Sequence, residues 1–107
     1  MSDQSVILIN LLKAQPGKQD ALIALLKQST HGVIRTLHGW KSTRLIAASD
    51  GASVVIYSEW ETREAVEAMR SDPRMVAYFP QVAALASLES LMGSPVLSET
   101  RRTDSDA

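Results

Sequence analysis

The amino-acid sequence predicts an α+β domain in which one antiparallel sheet carries helices on one face. The order of its periodic segments, a hairpin signal and its length lead there. Segments with strand and helix character alternate as strand, helix, strand, strand, helix, strand. Asp50-Gly51 lies between two runs rich in β-branched residues, and this dipeptide tolerates the positive φ angles of a tight hairpin. The 107 residues, 45% of them hydrophobic, suffice for one core and leave little for a second.

Val6 to Leu12 has the length and β-branched content of a strand. Its alternate faces are Val6, Leu8, Asn10, Leu12 and Ile7, Ile9, Leu11, apolar on both sides apart from Asn10. Gln15-Pro16-Gly17 makes a turn. Lys18 to Leu37 carries Leu22, Leu25, Leu26, Ser29, Val33 and Leu37 at helical spacing, with Asp20, Lys27, His31 and Arg35 opposite. Gly39 ends that helix and Trp40 opens a second strand reaching about Ala48. The third strand, Ser53 to Trp60, shows Val54, Ile56, Ser58 and Trp60 on one face and Val55, Tyr57 and Glu59 on the other. Thr62 caps a short helix to about Arg70, with Glu64 in the first turn. Asp72-Pro73 restarts a helix with Met75, Phe79, Val82 and Ala86 inward, and Pro80 breaks or bends it. A last strand falls near Pro95 to Thr100, with Ser87 to Met92 as the competing placement. Residues 1–100 are expected to form the domain, and 101–107, polar and poor in apolar residues, a flexible tail.

This order is the ferredoxin-like arrangement. A monomer of that design should keep one face of its sheet polar, and the first strand does not. If Val6, Leu8 and Leu12 meet the helices, then Ile7, Ile9 and Leu11 are left in water. Burial of such side chains is worth about 1.5–3 kcal/mol each. The expectation is a homodimer, sheet against sheet, closing a dimeric α+β barrel. The alternative cover is the tail or the Ser87–Met92 segment.

Composition narrows the function. A net charge of −1 gives no basis for binding nucleic acid or an anionic membrane. No cysteine is present, so thiol catalysis and disulfides are excluded. The two histidines, His31 and His38, have no carboxylate at ligand spacing, so no metal site is expected. Met1-Ser2-Asp3-Gln4 lacks the features of a signal peptide, and no apolar run approaches the roughly 20 residues of a membrane span. A cytoplasmic location is expected.

Asp50 to Thr62, Asp-Gly-Ala-Ser-Val-Val-Ile-Tyr-Ser-Glu-Trp-Glu-Thr, resembles the hairpin, third strand and tryptophan of antibiotic biosynthesis monooxygenases. Ser71-Asp72-Pro73-Arg74 and Leu91-Met92-Gly93-Ser94-Pro95 are similar to the helix start and final turn of quinone-forming members from aromatic polyketide pathways. The resemblance runs from Val6 to about Thr100. It implies a dimeric barrel with an apolar pocket between sheet and helices. It also implies oxidation of a phenol, anthrone or hydroquinone to a quinone by molecular oxygen without a cofactor. The substrate then supplies the electrons, and the protein favours its ionised form and excludes water.

Trp60 matches the family's pocket tryptophan. The quinone-forming relatives carry asparagine where this chain has Ile56, tyrosine where it has Val66, and arginine near Phe79. The heme-degrading branch has a first-strand asparagine, matched by Asn10, while its heme-ligating histidine aligns near Tyr78. Met75-Val76-Ala77-Tyr78 is similar to a Met-x-Ala-Tyr sequence of quinol oxygenases in the family.

Asn10, a lone amide on an apolar face, should be either locally satisfied or turned to a ligand, since an unpartnered buried amide costs about 1–3 kcal/mol. Taken with the resemblance, Asn10, Trp60 and Tyr78 are the expected catalytic set, and Ile56, Val66, Phe79, Arg44 and His38 the expected substrate contacts. Trp60 could equally be packing, Tyr78 core edge, and His38 and Arg44 solvated surface groups. A non-catalytic aromatic-ligand binder or a polyketide cyclase-like relative is the competing function.

Overall fold

The computed structural model describes residues 5–101; the N-terminal tetrapeptide and residues 102–107 of the expected tail lie outside them. The chain runs β1 (Val6–Ala14), α1 (Gln19–Gly32), a single 3-10 turn (Ile34–Thr36), β2 (Trp40–Ala47), β3 (Ser53–Trp60), α2 (Arg63–Ser71), α3 (Pro73–Val76), α4 (Phe79–Leu85) and β4 (Ala86–Gly93). The sheet is antiparallel in the order β2-β3-β1-β4, with the helices on one face, the ferredoxin-like topology expected from the sequence.

Local signals fix most boundaries. The Thr62 hydroxyl accepts from the Ala65 amide at 3.0 Å and so caps α2. Asp72 caps α3 by accepting from the Arg74 amide at 2.8 Å, with Pro73 in the first turn. Between β2 and β3, Gly51 adopts φ 76. The Asp50 carboxylate accepts there from the amides of Ala52 and Ser53, each at 2.8 Å. Those bonds, that of Ser53 foremost, hold the Asp50 carboxyl below its ordinary pKa. Gly39 turns the chain into β2 at φ 87, close against the side chain of Ala65.

Two expectations need correction. The long first helix stops at Gly32, and the stripe residues Val33 and Leu37 flank a separate 3-10 turn. Gly32 followed by β-branched Val33 and Ile34 is a poor continuation of an α-helix. The final strand is Ala86–Gly93, the competing placement, and Pro95–Thr100 forms none. Antiparallel pairing with β1 ends at Ile7–Gly93, so the residues beyond have no remaining partner, and Pro95 has no N–H to offer a ladder.

Register places Leu8, Asn10 and Leu12 toward the helices with Ser58, Ile56 and Val54 beside them on β3. The core under the helices is divided. One cluster gathers Leu8, Trp60, Val66, Met69 and Met75 at one end of the sheet. The other gathers Leu12, Leu22, Leu26, Val54 and Ala86 at the opposite end. Asn10 and Ile56 occupy the row between them. On the outward face of the sheet Leu11, Ile46, Tyr57 and Leu91 are exposed, Leu91 to 68%, with no cover from the helices or strands of the described residues.

Candidate functional site

The gap between the two core clusters is a cavity of about 620 Å³, within the range of about 300–1,000 Å³ usual for small-molecule sites. Its floor is the middle of the sheet: Leu8, Asn10 and Leu12 of β1, Ile56, Ser58 and Trp60 of β3, Thr43 of β2 and Ser90 of β4. Its roof combines Leu26, Ser29 and Thr30 of α1 with Met75, Tyr78, Phe79 and Val82 from α3, α4 and the bend between them. That bend is sequence-encoded. Pro80 lacks an amide hydrogen, so the segment divides into two short helices, and residues of both line the cavity.

Most polar groups of the lining are already engaged with the protein. The Trp60 indole N–H donates to Ser58 Oγ at 3.1 Å, and Ser58 Oγ donates to the Leu8 carbonyl at 3.3 Å. The Ser29 hydroxyl donates back to the Leu26 carbonyl at 3.1 Å. Thr43 Oγ1 accepts from the Trp40 indole at 2.8 Å. Asn10 differs. Its side-chain oxygen accepts from the Ser90 hydroxyl across the β1–β4 ladder, which leaves its two amide hydrogens directed to no protein acceptor among the described residues. The amide therefore serves both halves of the expectation for a lone polar group: it is anchored locally through oxygen and open through nitrogen.

Of the expected residues, Asn10, Trp60, Tyr78, Ile56 and Phe79 all line this cavity. Trp60 is 1% exposed and its only donor is spent on Ser58, so it offers a ligand an aromatic wall. Val66 is fully buried in the first core cluster, behind the lining. Arg44 points to the outward face of the sheet beside Tyr57. A register irregularity between Trp40 and Ser42 inserts one residue, so Thr43 and not Arg44 follows Trp40 onto the inner face. His38 is exposed in the turn before β2 and lies outside the lining. Ser58, Ser90 and Arg70 line the cavity without having been expected there. Ser58 was visible as the residue two before Trp60 on the same strand face, and Ser90 was hidden by the placement of the last strand. No group of three or more His, Cys, Asp or Glu side chains arranged for a metal ion occurs among the described residues. No helix among them is long and apolar enough to cross a membrane.

Fold and cavity together define an α+β protein of ferredoxin-like topology with an apolar hollow between its sheet and helices. The sequence model of the family described as antibiotic biosynthesis monooxygenase matches residues 5–81. The chain belongs to that family. Solved structures agree on the fold. Rv0793 from Mycobacterium tuberculosis superposes with a TM-score of 0.79 at 24% identity, covering 90% of this chain and 99% of that one. SnoaB from Streptomyces nogalater, described as a cofactor-independent oxygenase, gives a TM-score of 0.82 at 15% identity, with 90% and 97% covered. Protein SO0527 from Shewanella oneidensis gives 0.78 at 22% identity, with 88% and 93% covered. No curated protein sequence matches the chain.

Proposed function

We propose that the protein is a cofactor-independent monooxygenase that oxidises a phenolic, anthrone or hydroquinone-type aromatic to a quinone with molecular oxygen. The observation that carries this reading is the apolar cavity with Asn10 in its lining, whose amide hydrogens have no acceptor among the described residues. Family membership and the likeness to SnoaB supply its chemical frame. For an anthrone, the ring CH2 loses a proton to give an enolate. The enolate passes an electron to oxygen, and the radical pair combines to a peroxide. Loss of water from the peroxide leaves the new carbonyl, so one oxygen atom enters the quinone and the other leaves as water. All electrons come from the substrate. The residues would act by excluding bulk water and by donating a hydrogen bond from Asn10 to the developing oxyanion. Trp60 and Phe79 hold the ring planes, and the Tyr78 hydroxyl contacts a substrate oxygen.

Anaerobic mixing with an anthrone or a hydroquinone, followed by oxygen, tests the reading through quinone absorbance and oxygen uptake. Turnover above buffer that falls at least tenfold in Asn10→Ala is expected. Turnover no faster than buffer across several such substrates would overturn it. The second reading, an aromatic-ligand binder or cyclase-like relative, is favoured by the apolar Ile56 and Phe79 and predicts binding without product.

The working unit of this reading is a homodimer pressed together through the outward sheet faces. The exposed Leu11, Ile46, Tyr57 and Leu91 supply the contact. Sedimentation at micromolar concentration should give twice the chain mass, and Leu11→Lys should give the single mass. A wild-type monomer would refute the arrangement.

A further inference from the structure

We infer that the cavity selects aromatic ligands bearing an anionic oxygen, with Arg70 as its counter-charge. This deepens the proposed function and rests on its premise that an aromatic molecule fills the cavity. Arg70 is the one charged side chain among the described residues that line it. It stands in the last turn of α2, directly after Met69, whose side chain is buried in the core cluster beside the cavity. Its guanidinium is not committed elsewhere. The acidic group it meets, Glu67, lies 3.9 Å away and is 60% exposed, a surface pairing of small worth.

The remaining hydrogen-bond inventory points the same way. The hydroxyls of Ser29 and Ser58 donate to backbone carbonyls, and the indole of Trp60 donates to Ser58. What the lining still offers is the Asn10 amide hydrogens, the hydroxyls of Thr30, Tyr78 and Ser87, which donate as readily as they accept, and Arg70 as its one cation. Among the described lining residues no carboxylate faces the ligand. A flat hydrocarbon would leave these donors unpaired, whereas a ring system carrying a carboxylate or a phenolate would satisfy them and gain a charge-assisted bond.

The test compares 2-naphthoate with 2-naphthamide, which share shape and differ in charge. Binding is read by calorimetry and by quenching of indole fluorescence in the full chain. Wild type should hold naphthoate roughly tenfold more tightly than the amide, a ratio that shrinks as salt rises because Arg70 is partly exposed. Arg70→Gln should bring the two affinities within about twofold by weakening naphthoate alone, since glutamine keeps helix propensity and removes only the charge. Arg44→Gln, on the outward face, should leave the ratio unchanged. If wild type binds both ligands equally, or if the preference survives in Arg70→Gln, the inference fails while the aromatic-cavity reading stands. If neither ligand binds, both fall together.

Discussion

Replacing Asn10 with valine should make the protein more stable while blunting its site. The amide sits in mid-strand, half-buried, on the apolar face between Leu8 and Leu12. Burying about half of a valine side chain there contributes about 1 kcal/mol. Relief from partial desolvation of the amide contributes about 1 kcal/mol more. Against this stands the loss of the Ser90 hydrogen bond, about 1 kcal/mol, with no orphan left behind because Ser90 is exposed and turns to water. The net gain is about 1 kcal/mol, which for a domain of this size raises Tm by roughly 4–8 °C. Thermal unfolding followed by circular dichroism, at one fixed protein concentration, measures it. The same variant should bind oxygen-bearing aromatic ligands roughly fivefold more weakly, the loss of one hydrogen bond. A Tm at or below that of wild type would refute the reasoning, because the amide would then be holding the fold together rather than serving the cavity.

Two further outcomes follow from local geometry. Gly39→Ala should destabilise by about 2–5 kcal/mol in urea unfolding, since it combines a left-handed backbone with overpacking. The new Cβ would lie 2.5 Å from that of Ala65, with the backbone at φ 87. Gly51→Ala, at φ 76 but with open space around it, should cost only about 1–2 kcal/mol, and equal losses at both sites would remove the close-packing argument. In acid, Asp50 and Asp72 each have a folded pKa below the unfolded value of 3.8. The amides of the hairpin are the cause at Asp50, and the Arg74 side chain is the leading cause at Asp72. A depressed folded pKa stabilises fully above the unfolded value and is lost as pH falls through the folded one. Tm should therefore decline below pH 3.8, and less steeply in an Asp50→Asn, Asp72→Asn double variant; an identical acid slope in both would contradict it.

The elements that sequence periodicity located were those whose ends carry their own chemistry. Thr62, Asp72-Pro73 and Asp50-Gly51 each satisfy orphan backbone groups within a few residues, so local sequence suffices to place them. The last strand had no such marker. Helix α4 passes straight into β4 at Ala86, with neither Gly nor Pro between them, and Leu85 and Ala86 read equally well as more helix. What fixes β4 is the length of β1 available for pairing, a long-range fact. Periodicity overextends helix α1 because Val33 and Leu37 keep helical spacing across a stretch whose backbone has already tightened.

The site divides along the same line. Asn10, Ile56, Ser58 and Trp60 share one side of adjacent strands, and alternation alone groups them once the pairing of β1 with β3 is granted. Arg44 fails that logic for an identifiable reason. Counting by twos from the inward Trp40 brings Arg44 inward, but the extra residue at Lys41 reverses the phase of everything after it. Arg70, the cation in the lining, comes from the end of α2, and no local pattern announces that this end borders the same hollow as Met75, Tyr78 and Phe79. A hollow in a core is not a property of any one segment. It arises here because the two apolar clusters are seeded at opposite ends of the sheet, by Trp60 and Leu12, while the row between them carries an amide that no helix approaches closely enough to cover.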